Sequence, residues 1–318
     1  MQTSGTAADA RPLFHHSALL YDSDAAYGTA VSAFVRDGLA RDEAVAVAAT
    51  PRQTALLRDH LNGDAAEVRF LTADEWYVRP VRTIAGWAQL LRGASATGRP
   101  SMRLVGHTSA THGTRSWVRF ESALNTSLAG LRGHLLCPYD RGALPIETVR
   151  TAALTHPRLH DDGAWLESPG YEPPERLLTE LPEPPYPVTG EPVIVAAVKD
   201  TVADLRSQVR ARATAEAWLA PEQVENLLLA LSEVATNGIR HGGEERDLRI
   251  WLTGDAVVCE VTDNGPVPPG PLAGYLPPRA GVIGGMGLWL VQQLCDAMAI
   301  RAVDGRTHAR FAMRRSPA

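Results

Sequence analysis

SEVATNGIRHGG, residues 232–243, is the stretch that decides how the second half of this chain folds. It closes a helical pattern that opens at Pro221, a residue favoured in the first turn of a helix. Val224, Leu227, Leu228, Leu231 and Val234 recur at helical spacing and predict the buried face of a helix over residues 221–240. Glu233, Asn237 and His241 fall four apart, so they stack as one polar row near the helix C-terminus. A carboxylate and a carboxamide one turn apart suit a hard cation. The amide offers a neutral carbonyl oxygen, the carboxylate holds or deprotonates a water, and Mg²⁺ accepts such sparse oxygen ligation when phosphates complete its shell. Any solvated helix face can present such a row, so its meaning depends on the segments C-terminal to it.

Residues 248–253 and 257–262 read as two strands, the second ending in Asp263-Asn264-Gly265. A carboxylate at a strand end can accept a hydrogen bond from an exocyclic amine such as that of adenine, and Gly265 permits a tight departure. A Gly/Pro-rich loop over residues 266–283 comes next, long enough to be functional and lid-like. It leads to Gly284-Gly285-Met286-Gly287, which opens a helix predicted over residues 287–298. Glycines there bare backbone N–H groups where an anion can sit. Strands around residues 300–303 and 309–313 end the domain. Together with a first helix at 203–219, these elements predict an α+β sandwich, with helices layered on one face of a mixed sheet.

The ordered set E-x-x-x-N-x-x-x-H, D-x-G and G-x-G-L over residues 195–315 resembles the GHKL (Bergerat) ATPase fold of gyrase, Hsp90, histidine kinases and the bacterial anti-sigma serine kinases. SEVATNGIRHGG and DNGPVPPGPLAGYLPP…GGMGLWLVQQLCD are most similar to the anti-sigma kinase branch and its actinobacterial regulators. The resemblance implies ATP and Mg²⁺ as cofactors. It assigns Glu233 as general base, Asn237 as Mg²⁺ ligand, His241 to the ATP site, Asp263 and Gly265 to adenine, Gly285 and Gly287 to the phosphates, and Thr307 to the nucleotide's surroundings. Arg206 and Arg210, one turn apart on the first helix, match basic residues that face the phosphate or the partner's phosphoacceptor loop; a solvated helix face reads equally well. Gly238 departs from the family, which commonly has alanine there.

Ahead of this domain, residues 168–192 are rich in proline, which removes backbone donors and favours extended geometry, and predict a semi-rigid linker. Residues 13–167 alternate apolar strand-like runs (17–21, 44–49, 68–71, 103–106, 135–137) with helical patterns (25–39, 52–61, around 81–91, 116–131). That alternation predicts an α/β domain on a mainly parallel sheet. Trp117, Phe120 and Leu124, at helical spacing, read as core. Neither G-x-x-x-x-G-K-[ST] nor a strand-borne G-x-G-x-x-G is present. HHSALLYDSD, LLCPYDRGALP and THPRLH resemble the MEDS sensory domain, which implies a RecA-like sheet without its phosphate loop and a small ligand or protein as the thing sensed. In the physical reading, Cys137 ends a buried strand, Pro138 stops its ladder, and Tyr139 and Asp140 stand at the sheet's C-terminal edge, where α/β proteins bind ligands. His15, His16, His107 and His112 fit no metal-ligand spacing and read as surface or hydrogen-bonded residues.

At 318 residues the chain suits two domains. A net charge of −5 offers no basic stripe for nucleic acid. No run reaches the roughly 18–20 apolar residues of a membrane helix. Residues 1–12, MQTSGTAADARP, are expected to be disordered and carry no apolar core of a secretion signal. Three widely spaced cysteines in apolar contexts read as reduced core thiols, so the expectation is a cytoplasmic protein.

The function the resemblance implies is that of a regulatory serine kinase and anti-sigma factor. It would phosphorylate a STAS-type anti-anti-sigma protein, sequester a sigma factor and be gated by the N-terminal domain. A nucleotide-dependent binding module without chemistry is the alternative. A histidine kinase fits poorly, because His156 and His160 lie in THPRLHDD without a heptad pattern. Gyrase- or Hsp90-like action fits less well still, since their transducer domains are missing. Related kinases dimerise through the ATPase domain, but no interface stripe in this sequence decides for a homodimer.

Overall fold

A computed structural model describes residues 12–199, 201–265, 269–276 and 286–315. The chain divides into two compact units, one through Glu172 and one from Pro173, with Arg79–Arg82 grouped with the second. Among the described residues no helix is long and apolar enough to cross a membrane.

The first unit runs β1 (Phe14–Tyr21), α1 (Asp24–Leu39), β2 (Ala44–Ala49), α2 (Pro51–Leu61), β3 (Arg69–Thr72), α3 (Ala73–Trp76), α4 (Pro80–Ala96), β4 (Met102–Gly106), α5 (Arg115–Ser127), β5 (Gly133–Asp140), α6 (Ile146–Thr155), β6 (Arg158–Asp161) and β7 (Ala164–Glu167). Its sheet has the order β3-β2-β4-β5-β1-β6-β7, with every ladder parallel except β6–β7. The central strands are buried along nearly their whole length, which is why they read as unbroken apolar runs. Asp22 and Ser23 alone join β1 to α1, and the Ser23 side chain accepts a hydrogen bond from Ala26 N (3.3 Å) to cap the helix. Trp117, Phe120 and Leu124 are buried, as their spacing predicts.

Pro138 does not stop its ladder. β5 runs on to Asp140 and pairs with β1 throughout, Leu19 opposite Pro138. The reason is positional: β4 pairs with β5 only as far as Leu136, so beyond that point the flank of β5 away from β1 needs no N–H. The sequence reading also missed α6 and the β6–β7 hairpin.

The second unit runs α7 (Pro174–Glu180), β8 (Ile194–Ala197), α8 (Ala203–Ala215), α9 (Pro221–His241), β9 (Arg246–Leu252), β10 (Ala256–Asp263), α10 (Gly287–Leu294), β11 (Ala297–Val303) and β12 (Arg306–Arg314). The sheet order is β11-β12-β10-β9-β8, and every pairing is antiparallel, where a mixed sheet was expected. α10 ends at Leu294, four residues before the expected end, because Cys295 turns extended and the apolar run after it enters β11.

On the inner face, Leu205, Val209, Leu227, Leu231, Val257, Cys259, Val261, Val291, Phe311 and others form one core between helices and sheet. The outer face carries a smaller cluster of Trp251, Ala256, Val258 and Ala312. The proline-rich stretch contributes here: Tyr186 and Val188 pack on this cluster, and Arg310 donates to the Tyr186 carbonyl (3.0 Å). Tyr186 also donates its hydroxyl proton to Asp255. Residues 168–192 therefore hold a helix, α7, and a segment seated on the sheet rather than free chain throughout.

Candidate nucleotide site

Side chains alternate across a strand, so in β10 Asp263 shares a face with Val257, Cys259 and Val261, all buried in the helix-side core. In β12 Thr307 is in phase with Ala309, Phe311 and Met313 of the same core. The antiparallel register sets Asp263 directly opposite Thr307. A carboxylate and a buried hydroxyl thus stand side by side beneath α9.

The end of α9 is pressed onto the end of β10. A Cβ at Gly265 would lie 2.7 Å from Gly242 Cα and 2.8 Å from the His241 carbonyl oxygen; a Cβ at Gly242 would lie 2.7 Å from Asp263 Cγ. Only glycines allow this approach, which holds Asp263 against the helix. Gly265 N donates to Asp263 Oδ1 (2.9 Å), and Glu245 N donates to Asn264 Oδ1 (3.1 Å), fixing the turn.

A cavity of about 450 Å³ opens here, within the ~300–1,000 Å³ range of small-molecule sites. Asn237, Gly238 and His241 line it from α9 and Gly242 from its C-cap, Asp263 and Thr307 from the sheet, and Gly287 from the start of α10. Leu272, Ala273 and Leu276, from the described part of the long loop, supply an apolar wall. Five of the expected residues therefore meet: Asn237, His241, Asp263, Gly287 and Thr307.

Glu233 stands at the margin of the site. A Cβ at Gly287 would lie 2.6 Å from Glu233 Oε2 and 3.5 Å from Asn237 Nδ2, so the opening of α10 abuts the two oxygen-bearing residues of the row. Gly265 supports the site without lining it. Gly285 lies outside the described residues. Arg206 and Arg210 do not line the cavity, and Arg210 is paired with Glu225 on α9.

The sequence reading overlooked Gly242 and the apolar wall. The strand alternation flags Val261 and Ala309, and the HGG–DNG pair of glycine turns carries the signal for the close approach.

Gly238, where the family resemblance leads one to expect alanine, has room for a methyl group: a Cβ there would meet Val261 Cγ1 at 3.7 Å and Asp263 Oδ2 at 4.0 Å, ordinary contacts. Gly238→Ala is expected to stabilise the domain by about 0.5–1 kcal/mol and leave nucleotide affinity unchanged. Thermal denaturation checks this, and a lowered melting temperature would mean the helix–sheet gap is too tight for a methyl group.

Residues that fit a nucleotide are thus present: a carboxylate and hydroxyl pair for the base, an apolar wall, and a Glu/Asn pair of oxygen donors beside a glycine that keeps space clear. Residues 195–313 match the histidine kinase-like ATPase domain family, the class that this sheet, helix row and cavity define. Ahead of it, residues 15–157 match the MEDS family, described as the MEthanogen/methylotroph, DcmR Sensory domain. The protein therefore carries a MEDS domain followed by a histidine kinase-like ATPase domain, the architecture of a regulatory, kinase-like ATPase. No curated protein matches the chain.

Proposed function

We propose that the protein is an ATP-dependent serine kinase and anti-sigma factor, regulated by its MEDS domain. The observation that supports this most is the convergence of Asn237, Asp263, Thr307 and Gly287 on one cavity, with Glu233 at its margin. ATP, bound with Mg²⁺, supplies the phosphoryl group. Asp263 and Thr307 hold the base, Asn237 gives an oxygen to the metal, and the amides of Gly285 and Gly287 hold the phosphates. Glu233 takes the proton of a serine hydroxyl on a STAS-type anti-anti-sigma partner and orients the oxygen. This chemistry is mostly positioning and electrostatics. The unphosphorylated partner competes with a sigma factor for the ATPase domain, so its phosphorylation frees the kinase to sequester sigma. The protein acts in the cytoplasm, and contacts neither membrane nor nucleic acid directly.

Capture of partners from the native host, followed by labelling with γ-labelled ATP, tests the proposal. A STAS protein labelled on serine supports it. A sigma factor captured with no labelled protein favours a nucleotide-dependent binding module instead. The metal assignment has its own check. Asn237→Ala should weaken Mg²⁺-dependent ATP binding in equilibrium dialysis by about tenfold or more, ~1.4 kcal/mol; unaltered binding removes Asn237 as ligand.

A further inference from the structure

His16, Glu121, Cys137 and His156 come together in the interior of the first unit, all fully or almost fully buried. They arrive from β1, α5, β5 and the residue after α6. Their ligand atoms all lie within 4.8 Å of one another. His16 Nε2 is 3.2 Å from Glu121 Oε2 and 3.4 Å from Cys137 Sγ; His156 Nε2 is 3.5 Å and Cys137 Sγ 3.8 Å from the same carboxylate oxygen. In a tetrahedral zinc site with Zn–N of about 2.0–2.1 Å, Zn–O of about 2.0–2.2 Å and Zn–S of about 2.3 Å, ligand atoms stand about 3.2–3.8 Å apart. These four separations match a tetrahedron's edges, and the remaining two are no longer than 4.8 Å.

The hydrogen bonding points the same way. His156 Nδ1 lies 3.1 Å from the Ala152 carbonyl oxygen and 2.9 Å from Thr155 Oγ1, whose own proton goes to the Thr151 carbonyl (2.9 Å); both neighbours accept, so Nδ1 carries the proton. Its Nε2 is then a bare lone pair facing a carboxylate, and among the described residues it has no hydrogen-bond partner. Two acceptors pointed at each other in a dry interior require something positive between them. A ring nitrogen held by a backbone carbonyl while the other faces inward is also how metal-binding histidines are oriented.

We propose that His16, Glu121, Cys137 and His156 form a buried tetrahedral site for a divalent transition metal, zinc by its ligand set. Thiolate and imidazole donors suit zinc rather than Mg²⁺ or Ca²⁺. As the Zn–S bond forms, Cys137 gives up its thiol proton to solvent. One thiolate, one carboxylate, two neutral imidazoles and a dication sum to zero charge, which a closed interior tolerates. Four protein ligands close the coordination shell, the mark of a structural or sensing site rather than a catalytic one. The four residues span 121 positions between Cys137 and His16 and 16 between Cys137 and Glu121, so no short ligand motif announces them. The proposal does not depend on the kinase reading, because the thiol separates this site from the Glu233–Asn237 pair.

The test is titration of the chelator-stripped, full-length, reduced protein with Co²⁺, followed by displacement with zinc. The expected result is one equivalent bound, with a thiolate-to-cobalt charge-transfer band in the near ultraviolet and the intense visible bands of tetrahedral Co²⁺, all erased by one equivalent of zinc. Cys137→Ser should abolish the charge-transfer band, and Cys259→Ala should keep it. Glu121→Gln and His156→Gln should weaken binding by more than the roughly 10–100-fold that loss of an outer-shell partner costs. If the Cys137 variant does not fold, the wild-type spectrum still decides. No charge-transfer band from a chain whose near-ultraviolet circular dichroism shows it folded would overturn the proposal, and a proton on His156 would then be the positive group. A band of full strength in folded Cys137→Ser would overturn it as well.

Discussion

Replacing Glu233 by glutamine should leave ATP affinity unchanged and slow phosphoryl transfer to the proposed STAS partner by about 10²- to 10⁴-fold, the usual contribution of a general base. That range is about 3–5 kcal/mol of barrier. Glutamine keeps the length and shape of the side chain, so the start of α10 at Gly287 meets the same surface it meets now. What disappears is the oxygen able to take a proton. In the proposed site nucleotide binding rests instead on Asn237, Asp263 and Thr307, which line the cavity and which the substitution leaves in place. Equilibrium dialysis with labelled ATP and a single-turnover transfer assay, run on one preparation, separate the two effects. Transfer at the parental rate removes Glu233 as base. Loss of binding together with transfer would mean the carboxylate shapes the site rather than acting in it.

Gly287→Val should do the reverse and remove nucleotide binding at its source. A first side-chain carbon at this position would already stand 2.6 Å from Glu233 Oε2 and 3.5 Å from Asn237 Nδ2. Valine adds two methyl groups with little rotational freedom, and they would occupy the space in front of the Glu/Asn pair. The expected loss is about 100-fold or more in ATP affinity, ~2.7 kcal/mol. Folding should survive, because Gly287 is only half-buried and a non-glycine residue favours the first turn of α10. Melting without nucleotide should therefore change little, while the upward shift that ATP gives the parent should vanish. A variant that keeps this ATP-dependent shift would show that the phosphates lie elsewhere.

Much of this site was legible because the second domain obeys local rules. The period of α9 set Glu233, Asn237 and His241 in one row, whereas Thr307, expected in the loop before the last strand, lies within β12 opposite Asp263. Their meeting depended on the ordered resemblance, since no single segment carries it. The limit of α10 was lost because Cys295–Ile300 is apolar enough to continue a helix or begin a strand, and the sheet decided. Pro138 misled because a proline's effect depends on which edge of its strand has a neighbour, and that is a property of the sheet. The buried quartet in the first domain was the least legible feature. His16 looked like one of several scattered histidines and Cys137 like an ordinary core thiol, and only the parallel pairing of β1 with β5 brings them together.

The seating of Tyr186 and Val188 on the outer sheet face bears on where the ATPase domain physically begins. The family match starts at residue 195, and a fragment cut there would bare Trp251, Ala256, Val258 and Ala312 to water as a sticky, sheet-flat patch. It would also leave the Arg310 guanidinium without the Tyr186 carbonyl it now engages. The chain between the two domains thus doubles as a cladding strip for the ATPase domain. A truncation that respects homology alone would yield a domain prone to self-association, and the dimers it formed would be products of the cut.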